Sequence, residues 1–159
     1  MRKKTINRTF QNLSSTDQKW LDLERLAQVE ITSESPAHPI ESALIPGTGP
    51  GWRAAQPGDQ AIRLIFDQPV RLGRIHLMFH EEELARTQEF VLRWLPDGEE
   101  SFREILRQQY HFSPPATIRE VEDYAVELNG VTALELEIVP DLSGSGARAT
   151  LAQLRLAVL

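Results

Sequence analysis

Between Gln60 and Gly98 three short segments repeat one alternation. Ile62, Leu64 and Phe66 alternate with polar or smaller neighbours and stop at Asp67-Gln68-Pro69. Ile75, Leu77 and Phe79 do the same as far as His80, and Phe90, Leu92 and Trp94 as far as Pro96-Asp97-Gly98. A period of two in β-branched and aromatic residues, bounded by Pro, Gly and Asp, predicts strands with one face in a core.

The same pattern extends to both sides. Ala27 to Thr32 alternates and reads as a first strand, while Phe102 to Tyr110 follows a hairpin-type turn at Asp97-Gly98-Glu99-Glu100. Glu120 to Leu128, Ala133 to Val139 and Thr150 to Val158 close the chain, separated by Asn129-Gly130 and by Asp141 to Gly146. Helix is nearly absent. Trp20, Leu23 and Leu26 could line a turn or two after Ser15-Thr16-Asp17-Gln18, which has capping-box spacing. Pro39 to Leu44 could form one helical turn. About eight short strands with turn signals between them predict an all-β fold, an antiparallel β-sandwich or jelly roll, rather than parallel βαβ units. Residues 1–19 lack apolar periodicity and are expected to be a flexible lead-in to a single domain over 20–159.

Composition narrows the function. A net charge of −6 argues against general nucleic-acid binding, which needs a basic surface. The absence of cysteine removes disulfides, thiolate metal sites and cysteine catalysis. No apolar run reaches the roughly 20 residues of a membrane helix. The basic start, Met1 to Arg8, is followed by polar Gln11, Asn12, Ser14 and Ser15 instead of an apolar stretch, so a cytoplasmic location is expected.

The order of motifs carries a resemblance. Gly51-Trp52-Arg53, the strand from Gln60 to Phe66, Asp67-Gln68-Pro69 and Leu72-Gly73-Arg74-Ile75-His76-Leu77 come in sequence. Glu89 to Trp94, Phe102-Arg103-Glu104-Ile105, Val131 to Leu136 and Ala149 to Leu156 continue it. Over residues 26–158 the chain resembles the discoidin domain, also called the coagulation factor V/VIII type C domain, of the galactose-binding-like superfamily. The resemblance implies an eight-stranded jelly roll with its first and last strands close together. It also implies a non-catalytic module that binds glycans, phospholipid head groups or proteins through loops at one end. Glycan-binding relatives often hold calcium with an Asp-Gly turn before the tryptophan and a Glu in the last strand. Here Ile40-Glu41-Ser42-Ala43 and the neutral Gln153 fall near those places, so no cofactor is expected.

Other motifs dissolve on inspection. His80-Glu81-Glu82-Glu83-Leu84 lacks the second His of a zinc-protease helix. His76 and His80, on one face of a strand, would stand about 13 Å apart, too far for one ion. Gly47 to Trp52 lacks the third glycine of a dinucleotide loop. Glu81-Glu82-Glu83 reads as solvated charge. Sugar recognition needs an aromatic surface plus fixed donors and acceptors, and loop-end residues of those types are His38, Trp52, Arg53, His80, Arg86, Gln88, Tyr110 and His111. The expected ligand is therefore a carbohydrate, with a protein partner as the alternative.

Overall fold

The computed structural model describes residues 19–159. The expected lead-in and its Ser15–Gln18 cap lie almost entirely outside them. The elements in order are α1 (Leu23–Leu26), β1 (Ala27–Ile31), α2 (Glu41–Leu44), β2 (Trp52–Arg53), β3 (Gln60–His80), β4 (Arg86–Pro96), β5 (Arg103–Phe112), β6 (Arg119–Val139), β7 (Thr150–Leu151) and β8 (Gln153–Val158). All pairings between these strands are antiparallel. The two helices are single turns, as short as the sequence predicts.

Two strands do most of the building. β3 and β6 pair along their whole length, from Gln60 against Ile138 to His80 against Arg119. The first half of β3 carries β1, and the second half carries β8. The second half of β6 carries β4, and β5 follows beyond it. The long pair thus passes from one layer of a β-sandwich into the other.

The sequence predicts a turn at Asp67-Gln68-Pro69 and another at Asn129-Gly130. The structure corrects both: each lies within one continuous strand, at a corner where the register slips between Ile65 and Arg74. Bulges there bend the strand and raise its twist. They also change its parity. Ile62, Leu64 and Phe66 point inward on even numbers, whereas Ile75, Leu77 and Phe79 do so on odd ones. Gly73 sits at the change. A side chain there would lie 2.5 Å from the Leu159 Cα, because the C-terminal residue crosses against it.

Both halves deliver apolar side chains to one core, in which Ile62, Leu64, Ile75, Leu77, Phe90, Leu136 and Leu154 are each at most 1% exposed. Burial at this density is the principal source of stability for such a sandwich. The outward face of the larger layer is covered by ion pairs instead: Glu135 accepts from both Arg63 and Arg93, and Arg93 also reaches Glu137.

Candidate functional site

At one end of the sandwich, the β2–β7 ribbon and the turn after β3 enclose a cleft of about 180 Å³. One wall is built from the backbone outward. Gly51 has φ +107°, and a Cβ on it would meet the Leu151 carbonyl oxygen at 2.8 Å. Only glycine brings the chain this close with that torsion. The close approach sets the pairing of Trp52 with Leu151 and of Arg53 with Thr150. Arg53 then staples the preceding loop: its amide donates to the His38 carbonyl at 3.2 Å and its carbonyl accepts from the Ser35 amide at 2.8 Å. His38 and Arg53 are therefore fixed relative to each other through the main chain.

The opposite wall is the turn that ends β3. His80 lies 3.2 Å from the Glu82 carboxylate through Nε2, and its carbonyl accepts from the Thr150 hydroxyl at 3.0 Å. Glu81 closes the turn on itself by accepting from the Glu83 and Leu84 amides at 3.0 and 3.1 Å. Burial alone would raise the Glu81 carboxyl. The Glu83 amide, the Arg86 guanidinium and the Leu84 amide outweigh burial and hold it below the usual carboxylate range.

The expected residues separate into three groups. His38, Arg53 and His80 line the cleft together with Trp52. Trp52 is only 1% exposed and donates from Nε1 to the Ser33 carbonyl, so it forms the floor and presents no open ring face. Arg86 and Gln88, expected at a ligand, lie beneath the surface at 1% and 0% exposure. That expectation of direct contact is corrected: Arg86 opens β4 instead of riding on a loop, and its donors are turned inward. Tyr110 and His111 stand on β5 outside the cleft. Tyr110 donates to the Arg119 carbonyl, and His111 shares a hydrogen bond with the Thr87 hydroxyl.

Sequence reasoning missed the acids. Glu82 and Glu83 line the cleft, and Glu81 is a structural anion, not solvated charge. Their position directly after His80 was the available signal. Thr150 was also missed, since only the β2–β7 pairing brings it to this end.

The residues implied as calcium ligands do not fit that role. The Ala43 carbonyl, in α2 of the segment concerned, accepts from the Arg155 guanidinium at 2.7 Å, and burial lowers the pKa of that arginine. With a cation on that carbonyl and a neutral Gln153 in the last strand, Glu41 is left as the single anionic side chain of the set, too few for a calcium site. Among the described residues no group of three or more His, Asp or Glu side chains is arranged to hold a metal. His76 and His80 have separate partners, Asp123 and Glu82.

No family model matches the chain, and no curated protein matches it in sequence. Solved structures match it in fold. The family 32 carbohydrate-binding module (CBM) of Clostridium perfringens NanJ, solved with galactose, superposes with TM-score 0.60 at 13% identity, over 87% of this chain and 98% of that one. A family 32 module from the same organism, in complex with GalNAc-β-1,3-galactose, gives TM-score 0.57 at 16% identity, over 88% and 100%. Reduced XRCC1, solved bound to the DNA polymerase β catalytic domain, gives 0.59 at 12% identity, over 85% and 97%. Among the described residues no helix is long and apolar enough to cross a membrane. The chain thus has a β-sandwich fold similar to that of the family 32 carbohydrate-binding modules.

Proposed function

We propose that this protein is a non-catalytic module that binds a carbohydrate ring in the cleft between the β2–β7 ribbon and the turn after β3. One observation carries the reading: the cleft gathers imidazole and guanidinium donors (His38, Arg53, His80) with carboxylate acceptors (Glu82, Glu83) beside the apolar Pro50. A sugar hydroxyl both donates and accepts, so a mixed rim suits a polyol better than a single-signed one would. The volume lies below that of most drug-sized pockets, which suits one ring rather than a long chain. Family 32 modules of the same fold, solved with galactose-containing ligands, support this reading.

The acids of the cleft do not resemble a glycosidase pair. Such chemistry needs a carboxyl with a raised pKa at the scissile bond. The Glu81 carboxyl is shifted the other way, and the carboxyl that is pushed up, Glu120, lies buried outside the cleft.

A titration of ¹⁵N-labelled protein with a panel of neutral, amino and acidic monosaccharides tests the proposal. Shifts grouped on His38, Arg53, His80 and Glu83 support it, and a spectrum silent across the panel overturns it. In the silent case the protein-partner reading takes its place, favoured by the likeness to XRCC1 solved with a polymerase domain.

A further inference from the structure

We propose that Arg86 is the positioning residue of the cleft: a buried cation that sets both cleft walls without touching the ligand. The inference rests on the sugar-binding reading for its consequence, though not for its geometry. Arg86 is buried to 1% exposure, among the largest fully buried side chains described. Its Nε donates to Glu81 Oε1 at 2.6 Å. One terminal nitrogen donates to the Pro140 carbonyl at 2.8 Å and to Gln88 Oε1 at 3.2 Å. The other reaches the Thr150 hydroxyl at 3.4 Å, and the guanidinium lies over the Phe112 ring at 4.8 Å.

These partners come from separate pieces of chain. Glu81 belongs to the turn after β3, Thr150 to β7, Pro140 to the segment after β6, and Phe112 to the end of β5. Two of them are cleft walls. Through Glu81, whose second oxygen holds the Glu83 and Leu84 amides, Arg86 fixes the turn that carries Glu82 and Glu83. Through Thr150, which also donates to the His80 carbonyl, it fixes the wall opposite. Gln88 orients the guanidinium from behind and is itself held, donating from Nε2 to Glu120 Oε1 at 3.1 Å.

The chemistry requires arginine. A planar fork can serve an anion, a carbonyl, an amide oxygen and a hydroxyl at fixed angles, whereas an ammonium is a point charge on a flexible stem. Neutralising Glu81 also matters for the ligand. With its charge paired and its oxygens engaged, the acceptors left to the cleft from the acidic run are Glu82 and Glu83.

The test compares wild type with Arg86→Lys and Glu81→Gln by two readouts: amide hydrogen exchange, and affinity for galactose by NMR titration. Glu81→Gln breaks the same link from the other side and serves where Arg86→Lys does not fold. The expected result is faster exchange at Glu83 and Leu84, unchanged protection at Leu77 and Leu136 in the core, and galactose affinity lowered about tenfold or more. A merely structural arginine would lower protection in the core together with the turn. Unchanged exchange at Glu83 and Leu84, or faster exchange there with unchanged galactose affinity, overturns the proposal. If wild type binds neither galactose nor another sugar of the panel, the sugar reading falls, and the exchange pattern alone decides whether Arg86 sets the turn.

Discussion

Gln88 and Glu120 meet inside the sandwich, at 0% and 1% exposure, with the Gln88 amide donating to one carboxyl oxygen at 3.1 Å. The other oxygen, Oε2, is buried with no hydrogen-bond partner. Burial first, and then the adjacent Glu122 carboxyl, push the Glu120 pKa from 4.5 up to about 9. Glu120 therefore keeps its proton at neutral pH, while the neighbouring Glu122 carboxylate accepts from the Tyr124 hydroxyl at 2.7 Å.

A raised carboxyl has a definite sign. Between pH 4.5 and about 9 the unfolded chain has released a proton that the folded chain retains, so stability falls as pH rises through that window. The slope from this one group is at most about 1.4 kcal/mol per pH unit. Glu120→Gln keeps an acceptor for Gln88 and does not titrate. Urea midpoints at pH 5 and pH 8 should differ less in the variant, which should be the more stable protein at pH 8. Parallel pH profiles for the two proteins would refute the assignment.

Arg53 is exposed and makes its framework contacts through the main chain, so Arg53→Ala should leave the melting temperature within about 2 °C of wild type. Its loss should weaken sugar binding about tenfold or more, equivalent to roughly 1.4 kcal/mol. His38→Ala should act in the same direction. Calorimetric titration checks both, and unchanged affinity in both would remove that wall from the site.

Calcium should have no effect on the fold. Melting temperatures in excess calcium and in excess chelator should coincide. Arg155→Met, by contrast, leaves the Ala43 carbonyl without its donor and should cost about 1–3 kcal/mol. A calcium-dependent rise in the wild-type melting temperature would contradict the argument from Arg155.

Gly51→Ala should be the most damaging small substitution near the cleft. It places a methyl 2.8 Å from the Leu151 oxygen at a torsion that non-glycine residues avoid. The torsional cost alone is about 1–3 kcal/mol. Chemical denaturation measures it, and a loss of less than about 0.5 kcal/mol would show that the ribbon can shift to accommodate the methyl.

Much of the fold could be read from the sequence because alternation reports directly on burial. Ile62, Leu64 and Phe66, then Ile75, Leu77 and Phe79, then Phe90 and Leu92 all face the core as expected. The corners could not be read. Asp67-Gln68-Pro69 has the chemistry of a reversing turn, and a bulged corner within a strand uses the same residues; only the partner strand distinguishes them. The lining of the candidate cleft was legible in part. His38, Arg53 and His80 could be named from type and place, but nothing local distinguishes Glu81 from Glu82. What separates them is the buried guanidinium five residues on. The inward acids were more accessible than they looked, since Glu120 and Glu122 share the parity of Tyr124, Val126 and Leu128 on β6.

The continuous β3–β6 pair also governs how this chain reaches its native state. Its rungs join position 80 to 119 at one end and 60 to 138 at the other, so no rung is local. Each requires a long stretch of chain to close before any contact offsets the entropy lost. Folding should accordingly be slow for a protein of this size, on the order of milliseconds to seconds. Because the same two strands run through both layers, the layers share their longest pairing, and the turn that walls the cleft is held at its His80–Arg119 end.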